Sequence, residues 1–535
     1  MPPKTPGHLF VIDSDLTKLY CDAVLVPVDI RLTLEKAWHA LLKSVGWPML
    51  KRVAQPEGWG STVHAFRLEQ HASQTAASYP EIWLGEVGRS NPPDGHYARV
   101  LVEFVRRVSE RAKSTPRSAP LRVGVPVVGT GEGGGWEDKG SIFSSIVPAL
   151  ERAALDYGVD VVLVCFGAKL YSAAQRARGT YRDGLKASES AHGSGLDSRL
   201  HAVATELAKE ARDANLVLFM GAGVSMGAGG LSWQSLLNEL AAKAELTAEL
   251  KDAMKKLDVR DQAQILKSRL GESFGATVQG MVDTPHYALA HGLLASLRAR
   301  EAVTTNYDKL YETAFQTDRR ELAVLPGAPP KRESPCWLLK LHGTVEKPAD
   351  LVLARSDYLG LPARSGALFG ILQAMLLTRH MLFVGYSLSD DSFHRVIHEV
   401  SQARMGVAPH TGGKLGTALI LFPDPLLTEL WAKDLNIVHV SERAPAPETD
   451  AAARKADFDA AARQLNILLD EIAFLAADVS AFLLDSTYEN MLNDEEKRIA
   501  AALMGVVATS SGAGPIAKRV EEVLRQFGYP PDEKP

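Results

Sequence analysis

The sequence predicts a multidomain α/β protein whose centre is a Rossmann-like, doubly wound parallel sheet. Three observations carry this. Short apolar and β-branched runs alternate with helical patterns over most of the chain, as expected for strands covered by helices. One run, Leu216-Val217-Leu218-Phe219-Met220, ends in Gly221-Ala222-Gly223-Val224-Ser225, so a buried strand delivers its C-terminal end to a glycine turn. Beyond about residue 445 the strand-like runs stop and helical spacing alone continues.

Taken in order, His8 to Ile12, Ala23 to Val28, Val123 to Val128 and Asp160 to Cys165 read as strands. Val100 to Ala112 and Ile142 to Tyr157 read as amphipathic helices, and together these define an N-terminal α/β domain over 1–175. From about 171 to 198 the composition shifts to Ser, Ala, Gly, Arg and His, which places a linker at 176–200. A helix, His201 to Ala214, leads into the glycine turn. Strands recur at Ala302 to Thr305, Trp337 to Leu341, Met381 to Val384, Thr417 to Phe422 and Ile437 to Val440, giving a central domain over 201–444. Within it, residues 226–300 read as a helical insert with helices Ala241 to Leu257 and Gln262 to Leu270. Helices at Glu448 to Ala476, Glu495 to Ala508 and Ile516 to Phe527 complete a C-terminal helical module over 445–535.

At 535 residues the chain is too long for one core. Its 46% hydrophobic and 23% charged residues are ordinary for a soluble globular protein, and a formal net charge of −5 argues against a general electrostatic grip on nucleic acid. Cys21, Cys165 and Cys336 are far apart and form no CxxC pair, so no thiolate zinc cage is expected. They read as small buried hydrophobes in a reducing cytosol. The N-terminus MPPKTPGHLFVID has no apolar signal region, and no window approaches the roughly 18 apolar residues of a membrane span. A cytoplasmic protein without membrane contact is expected.

Four segments that follow strands carry side chains suited to chemistry: Gly221 to Ser225, Thr304-Thr305-Asn306-Tyr307-Asp308, Leu341-His342-Gly343 and Gly385-Tyr386-Ser387. Backbone N–H groups of a glycine turn suit phosphate oxygens. Asn306 both donates and accepts, so it suits ribose hydroxyls or an attacking water. Among the four segments only His342 titrates near neutrality, which makes it the candidate general base. Asp308 either orients Asn306 or bonds a ribose hydroxyl, or else caps the helix that follows. Ser225 bonds a phosphate or caps the next turn. Asp390 and Asp391 either serve the site or only start the helix Ser392 to Ala403.

In this order the four segments resemble the sirtuin (SIR2) fold, most closely the bacterial SIR2-like NAD+ hydrolases of antiphage defence. Leu231-Ser232-Trp233, followed by the Leu236/Leu237/Leu240 helix, is similar to that group as well. The resemblance covers about residues 200–442 and implies NAD+ as substrate. It implies Asn306 and His342 as catalytic residues, and Gly221, Ala222, Gly223, Ser225, Trp233, Thr305, Asp308, Gly385, Ser387 and Asp390 as nucleotide-binding. Sirtuin deacylases usually carry a four-cysteine zinc module, which this chain cannot supply, so no zinc is expected and water is the expected acceptor of the ADP-ribosyl group.

The N-terminal domain resembles macrodomains, which bind ADP-ribose and related nucleotides, through Asp13-Ser14-Asp15, the strand up to Pro27, and Gly129-Thr130-Gly131-Glu132-Gly133-Gly134. The resemblance implies Asp15 at the adenine amine and Gly129, Thr130, Gly131 and Gly133 around a diphosphate. The asparagine-rich segment usual in that family is replaced by Val28-Asp29-Ile30, so catalytic removal of ADP-ribose is not expected, and a purely packing role is the alternative. Trp136 either lids a ligand or fills core.

Together these expectations describe a regulated NAD+-depleting hydrolase. Oligomerisation, a defence partner protein or a nucleotide on the N-terminal domain would keep it silent. The alternatives are a protein deacylase or ADP-ribosyl transferase, and a non-catalytic NAD+ or ADP-ribose sensor.

Overall fold

The computed structural model describes residues 5–44, 46–47, 50, 53–69, 80–89, 92–112, 117–131, 134–185, 195–317, 320–331, 335–404, 413–446, 450–509 and 514–530. The chain divides into two compact units, Met1–Asp197 with Ala477–Pro535, and Ser198–Ala476.

In the first unit, β1 (Leu9–Asp13), β2 (Ala23–Asp29), β3 (Ala65–Arg67), β4 (Glu81–Gly88), β5 (Leu121–Pro126) and β6 (Val159–Cys165) form one sheet in the order β1-β6-β5-β2-β4-β3. All pairs are parallel except β3 with β4. Helices His96–Ala112 and Lys139–Tyr157 bury Phe104, Phe143 and their neighbours in its core. The sequence pattern does not reveal β4 because Gly85 and Glu86 interrupt its apolar run. Glu86 is fully buried, a costly position that Arg89 (Nε to Oε1, 2.5 Å) and His64 (Nδ1 to Oε2, 3.0 Å) compensate. His64, Glu86 and His96 place ligating atoms within 4.8 Å of one another, a cluster whose carboxylate Arg89 already neutralises.

Two expected boundaries differ. Helix Ala168–Gly184 occupies the start of the expected 176–200 linker, and its alanines let it lie close against β1 and β6 with Tyr171, Ala173, Ala174 and Ala177 buried. The expected C-terminal module is divided between the units. Helix Ala451–Ala476 belongs to the second, where Leu465, Leu468, Leu469 and Ile472 are buried and it packs on helix Ser198–Arg212. The residues from Ala477 belong to the first unit and add Phe482 and Tyr488 to its core, with the Tyr488 ring 6.2 Å from that of Phe143.

In the second unit, β7 (Leu216–Met220), β8 (Glu301–Thr304), β9 (Ala323–Leu325), β10 (Trp337–Lys340), β11 (His380–Val384), β12 (Gly416–Ile420) and β13 (Leu435–His439) form a wholly parallel sheet in the order β13-β12-β11-β7-β8-β10-β9. From β7 the chain adds β8, passes to β9 at the sheet edge, returns to insert β10 between β8 and β9, then crosses back to set β11 on β7's other side. Strand direction and order therefore open a crevice beyond the C-terminal ends of β7, β8, β10 and β11, the usual ligand position in such sheets.

The crossover, helix Arg355–Thr378, is among the described residues the one helix long and apolar enough to cross a membrane by length and composition. It departs from helical geometry at Ser365 and contributes Leu361, Phe369, Leu372, Met375 and Leu376 to the core of this unit.

The insert folds as helices Trp233–Lys243, Ala248–Met254, Val259–Leu270 and Phe274–Val282. The expected single helix Ala241 to Leu257 breaks where Glu245 takes φ 53° and Thr247 caps a new start by accepting from Leu250 N–H. Leu236, Leu237, Leu240, Leu266 and Phe274 form a small core with Tyr307, Val345, Leu351 and Leu353, so the insert packs on the loops at the strand ends.

Candidate functional site

The turns after β7, β8, β10 and β11 open on one cavity of ≈ 600 Å³. Asn306 and His342 both line it, as do Ala222, Gly223, Ser225, Trp233, Thr305, Asp308, Gly385, Ser387 and Asp390. Gly221 stands behind this wall, and its carbonyl accepts from Asn306 Nδ2 at 3.1 Å. Four segments spread over residues 221–387 thus meet because parallel strands deliver all their C-terminal turns to one edge.

The glycines are explained by the approach of two backbones. A Cβ on Gly221 would lie 2.5 Å from Gly385 O, one on Gly223 2.8 Å from Gly385 Cα, and one on Gly385 2.5 Å from Val224 N. Gly385 also holds φ +63°, a conformation that disfavours L side chains. The turn's own hydrogen bonds follow: Gly221 N–H donates to Val384 O (3.0 Å), Gly223 N–H to Gly385 O (2.9 Å), Val224 N–H to Gly221 O (3.1 Å) and Ser225 N–H to Ala222 O (3.1 Å). Of the five amides expected to serve a phosphate, these four are committed within the protein. The contacts give Gly221, Gly223 and Gly385 a part in interlocking the two turns.

A hydrogen-bond network orients Asn306. Its Nδ2 donates to Gly221 O and to Ser225 Oγ (3.2 Å), which leaves the side-chain carbonyl Oδ1 as the group it offers a ligand. Ser225 Oγ donates to Asp308 Oδ2 at 2.8 Å, and Asp308 Oδ1 accepts from Leu310 N–H at 3.0 Å. Both readings of Asp308 therefore hold at once. Behind them, buried His291 accepts at Nδ1 from Ala288 N–H (3.2 Å), which puts its proton on Nε2, 3.4 Å from Ser225 Oγ. Burial pushes the His291 pKa down to about 4, so the ring stays neutral. Thr304 Oγ1 bonds Met220 O and accepts from Asn306 N–H, both at 3.0 Å, fixing the Asn306 backbone.

His342 is 4% exposed, and its Nε2 lies 3.4 Å from Asp390 Oδ2. Burial lowers its pKa below the ordinary value and the Asp390 carboxylate pulls the other way, so the ring is neutral near pH 7 and able to take a proton. The other Asp390 oxygen accepts from Ser392 N–H (2.8 Å) and Phe393 N–H (3.3 Å), at the start of helix Asp391–Arg404. Asp390 thus caps the helix and faces His342 together. Gly343, at φ +92°, lets the chain pass Asp350 O and return so that Val352 N–H bonds His342 O at 3.0 Å.

Several residues of the site carry no motif signal. Buried Lys340 binds Tyr307 O (3.3 Å), Asp308 O and Glu312 Oε1 (2.8 Å), and so clamps the Asn306 segment from below. Asp258 and Arg260 come from the insert, Tyr358 from the crossover helix, and Asp391 from the helix start; all line the cavity. The Tyr358 ring lies 5.4 Å from that of His342. Only Asp391, adjacent to a motif, had a sequence cue.

In the first unit, Asp15 Oδ1 accepts from Thr17 N–H (2.9 Å) and Thr17 Oγ1 (2.7 Å), capping the short helix Leu16–Lys18. The turns holding Asp15 and Gly129 leave β1 and β5 at the same sheet edge, with β6 between. Gly129 has φ +81°, and a Cβ there would meet the Tyr97 ring at 2.5 Å. Gly131 faces open space, and Thr130 stands between them half-buried. Gly133 lies outside the described residues. Lys139 Nζ sits 3.7 Å over the Trp136 ring, which gives that tryptophan a packing partner.

Residues 300–440, which include β8 to β13 and the segments holding Asn306, His342 and Gly385, match the family model of the SIR2-like domain. Among its relatives, the protein named NAD(+) hydrolase ThsA from Enterococcus faecium is 32% identical over 197 residues, covering 35% of this chain and 40% of that one. A protein of the same name from Bacillus cereus is 29% identical over 206 residues, covering 37% and 42%. Defense-associated sirtuin 2 of Bacillus subtilis is 26% identical over 214 residues, covering 38% and 21%. The chain spans about two fifths of the length of the ThsA relatives it matches. A solved Oceanobacillus iheyensis macrodomain covers 34% of this chain and 96% of its own, at 16% identity and a TM-score of 0.26.

Proposed function

We propose that this chain hydrolyses NAD+ at the nicotinamide–ribose bond, giving nicotinamide and ADP-ribose, as a regulated NAD+-depleting effector of antiphage defence. The observation that carries the reading is the convergence of Asn306 and His342 on one dinucleotide-sized cavity at the switch point of a parallel sheet. The names of the similar ThsA proteins and of the defence-associated sirtuin support it.

Cleavage of this bond builds positive oxocarbenium character on the ribose, so positioning and electrostatics supply most of the acceleration. The C–N electron pair leaves with nicotinamide, which departs neutral. Asn306 Oδ1 accepts from a ribose hydroxyl or from the attacking water. Neutral His342 takes the proton of that water as its oxygen bonds the anomeric carbon, and then passes it to solvent, so one proton is released per turnover. The carboxylates of Asp308, Asp390 and Asp391 around the cavity favour the developing positive charge.

Asp15, Gly129, Thr130, Gly131 and Gly133 form the N-terminal site for an ADP-ribose-type nucleotide, and that nucleotide, self-association or a defence partner keeps the hydrolase silent. The test is to incubate NAD+ with the full chain, with and without an acetyl-lysine peptide, and to quantify nicotinamide and ADP-ribose. Peptide-independent release of both supports the hydrolase. Release only with peptide supports a deacylase, and binding without release a sensor.

A further inference from the structure

The cavity contains a charge imbalance that the four motifs do not resolve. Asp258, Asp308, Asp390 and Asp391 line it, and among the described lining residues Arg260 alone carries a permanent positive charge. A cavity so lined suits a pyridinium cation but repels a diphosphate. The glycine turn offers little remedy, because the N–H groups of Gly221, Gly223, Val224 and Ser225 already bond the protein. A diphosphate here needs a cation.

Arg260 is held ready for one. Its Nε and Nη2 bond the two oxygens of Asp258 at 3.0 and 3.1 Å, which fixes the guanidinium plane from its own helix start. Its Nη1 bonds Asp391 Oδ2, at the start of helix Asp391–Arg404. Asp258 is further pinned by Arg355, whose Nη2 donates to Asp258 Oδ1 at 2.9 Å, while Arg355 also grips Asp261 through two 2.8 Å bonds. Asp391 has no such second support among the described residues, and its side chain is 69% exposed. The guanidinium therefore has one anchored partner and one replaceable partner. It lies 5.8 Å from the Tyr358 ring, which in turn contacts the His342 ring, so it belongs to the wall that holds the candidate base.

We propose that Arg260, contributed by the helical insert, is the diphosphate-binding cation of this cavity, and that it exchanges the Asp391 carboxylate for the diphosphate of an incoming dinucleotide. Asp258 keeps the guanidinium in plane during the exchange, and the fork geometry of arginine lets it meet two phosphate oxygens. Because the same contact ties the insert to helix Asp391–Arg404, ligand entry would loosen that tie from one side while the diphosphate remakes it. The inference rests on the dinucleotide occupant proposed above, but not on its hydrolysis.

The experiment is calorimetric titration of NAD+, and separately of adenosine as a probe without diphosphate, into the full-length chain carrying His342→Ala to prevent turnover. Adding Arg260→Gln is expected to weaken NAD+ binding about tenfold or more and to leave adenosine unchanged, with Arg260→Lys recovering part of the loss. Adding Asp391→Asn, which removes the competing carboxylate, is expected to tighten NAD+ a few-fold. NAD+ affinity unchanged by Arg260→Gln, NAD+ and adenosine weakened together, or no tightening by Asp391→Asn would overturn the proposal. Wild-type nicotinamide release is measured alongside. Arg260-dependent binding without release keeps this proposal and removes the hydrolase reading, whereas release with Arg260-independent affinity does the reverse.

Discussion

Asp390 divides its carboxylate between two tasks: one oxygen caps helix Asp391–Arg404, and the other stands 3.4 Å from His342 Nε2. This ties the candidate base to the start of the helix that follows β11, so the β10 and β11 turns act as one unit. Removal of the carboxylate should therefore act on both stability and titration.

The titration can be read from activity. A neutral His342 is required to accept the proton, and burial holds its pKa below the ordinary 6.5 while Asp390 raises it. Turnover of the wild type should fall on the acid side, with a limb below pH 6.5. Asp390→Asn removes the raising influence and should move that limb to still lower pH while its amide oxygen keeps the cap, whereas Asp390→Ala should also lose the cap, at a cost of about 1 kcal/mol. A kcat/KM profile whose acid limb stays in place in Asp390→Asn would contradict the pairing.

The interlocked turns make a stability prediction. Gly385→Ala sets a Cβ 2.5 Å from Val224 N at φ +63°, so both the conformation and the space are unfavourable. A loss of about 2–4 kcal/mol is expected, visible as a lower midpoint in denaturant unfolding of the second unit. Gly131→Ala, with open space around it, should change little.

His291 predicts a pH-dependent term. Its folded pKa of about 4 lies below the unfolded value, so the unfolded chain binds the extra proton as pH falls. The stability that His291 contributes is fully present above pH 6.5 and is lost progressively toward pH 4, by as much as about 3 kcal/mol. His291→Gln should flatten the unfolding free energy across that interval. It should also lower kcat, because the Ser225 and Asn306 orientation depends on the ring.

The residues from Ala477 should be needed by the first unit, since Phe482 and Tyr488 lie in its core. Phe482→Ala should cost about 3–5 kcal/mol, read as an early transition in thermal unfolding.

The parts legible in the sequence were those encoded locally. Each strand bearing a motif is a short apolar run, and the turn after it carries the chemistry, so Asn306, His342, Gly385 and their neighbours are legible as one strand-end constellation in the sequence. Arg260 and His291 are not. They stand in helices whose spacing resembles any surface or core helix, and their partners Asp391 and Ser225 lie 131 and 66 residues away. The same holds for β4, whose buried Glu86 reads as a break until Arg89 and His64 are seen beside it. It holds too for Phe482 and Tyr488, whose non-periodic segment gives no hint that it fills the core of a distant domain. Even at the glycine turn the residue type was informative while the reason was not, because a close approach to Gly385 depends on the pairing of β7 with β11.

The most direct test of the central claim is the rate of nicotinamide release from NAD+ alone by the wild-type chain and by Asn306→Ala and His342→Ala, under one activating condition. The account predicts release by the wild type and a loss of at least about a hundredfold in each variant. Equal rates in all three proteins would contradict it.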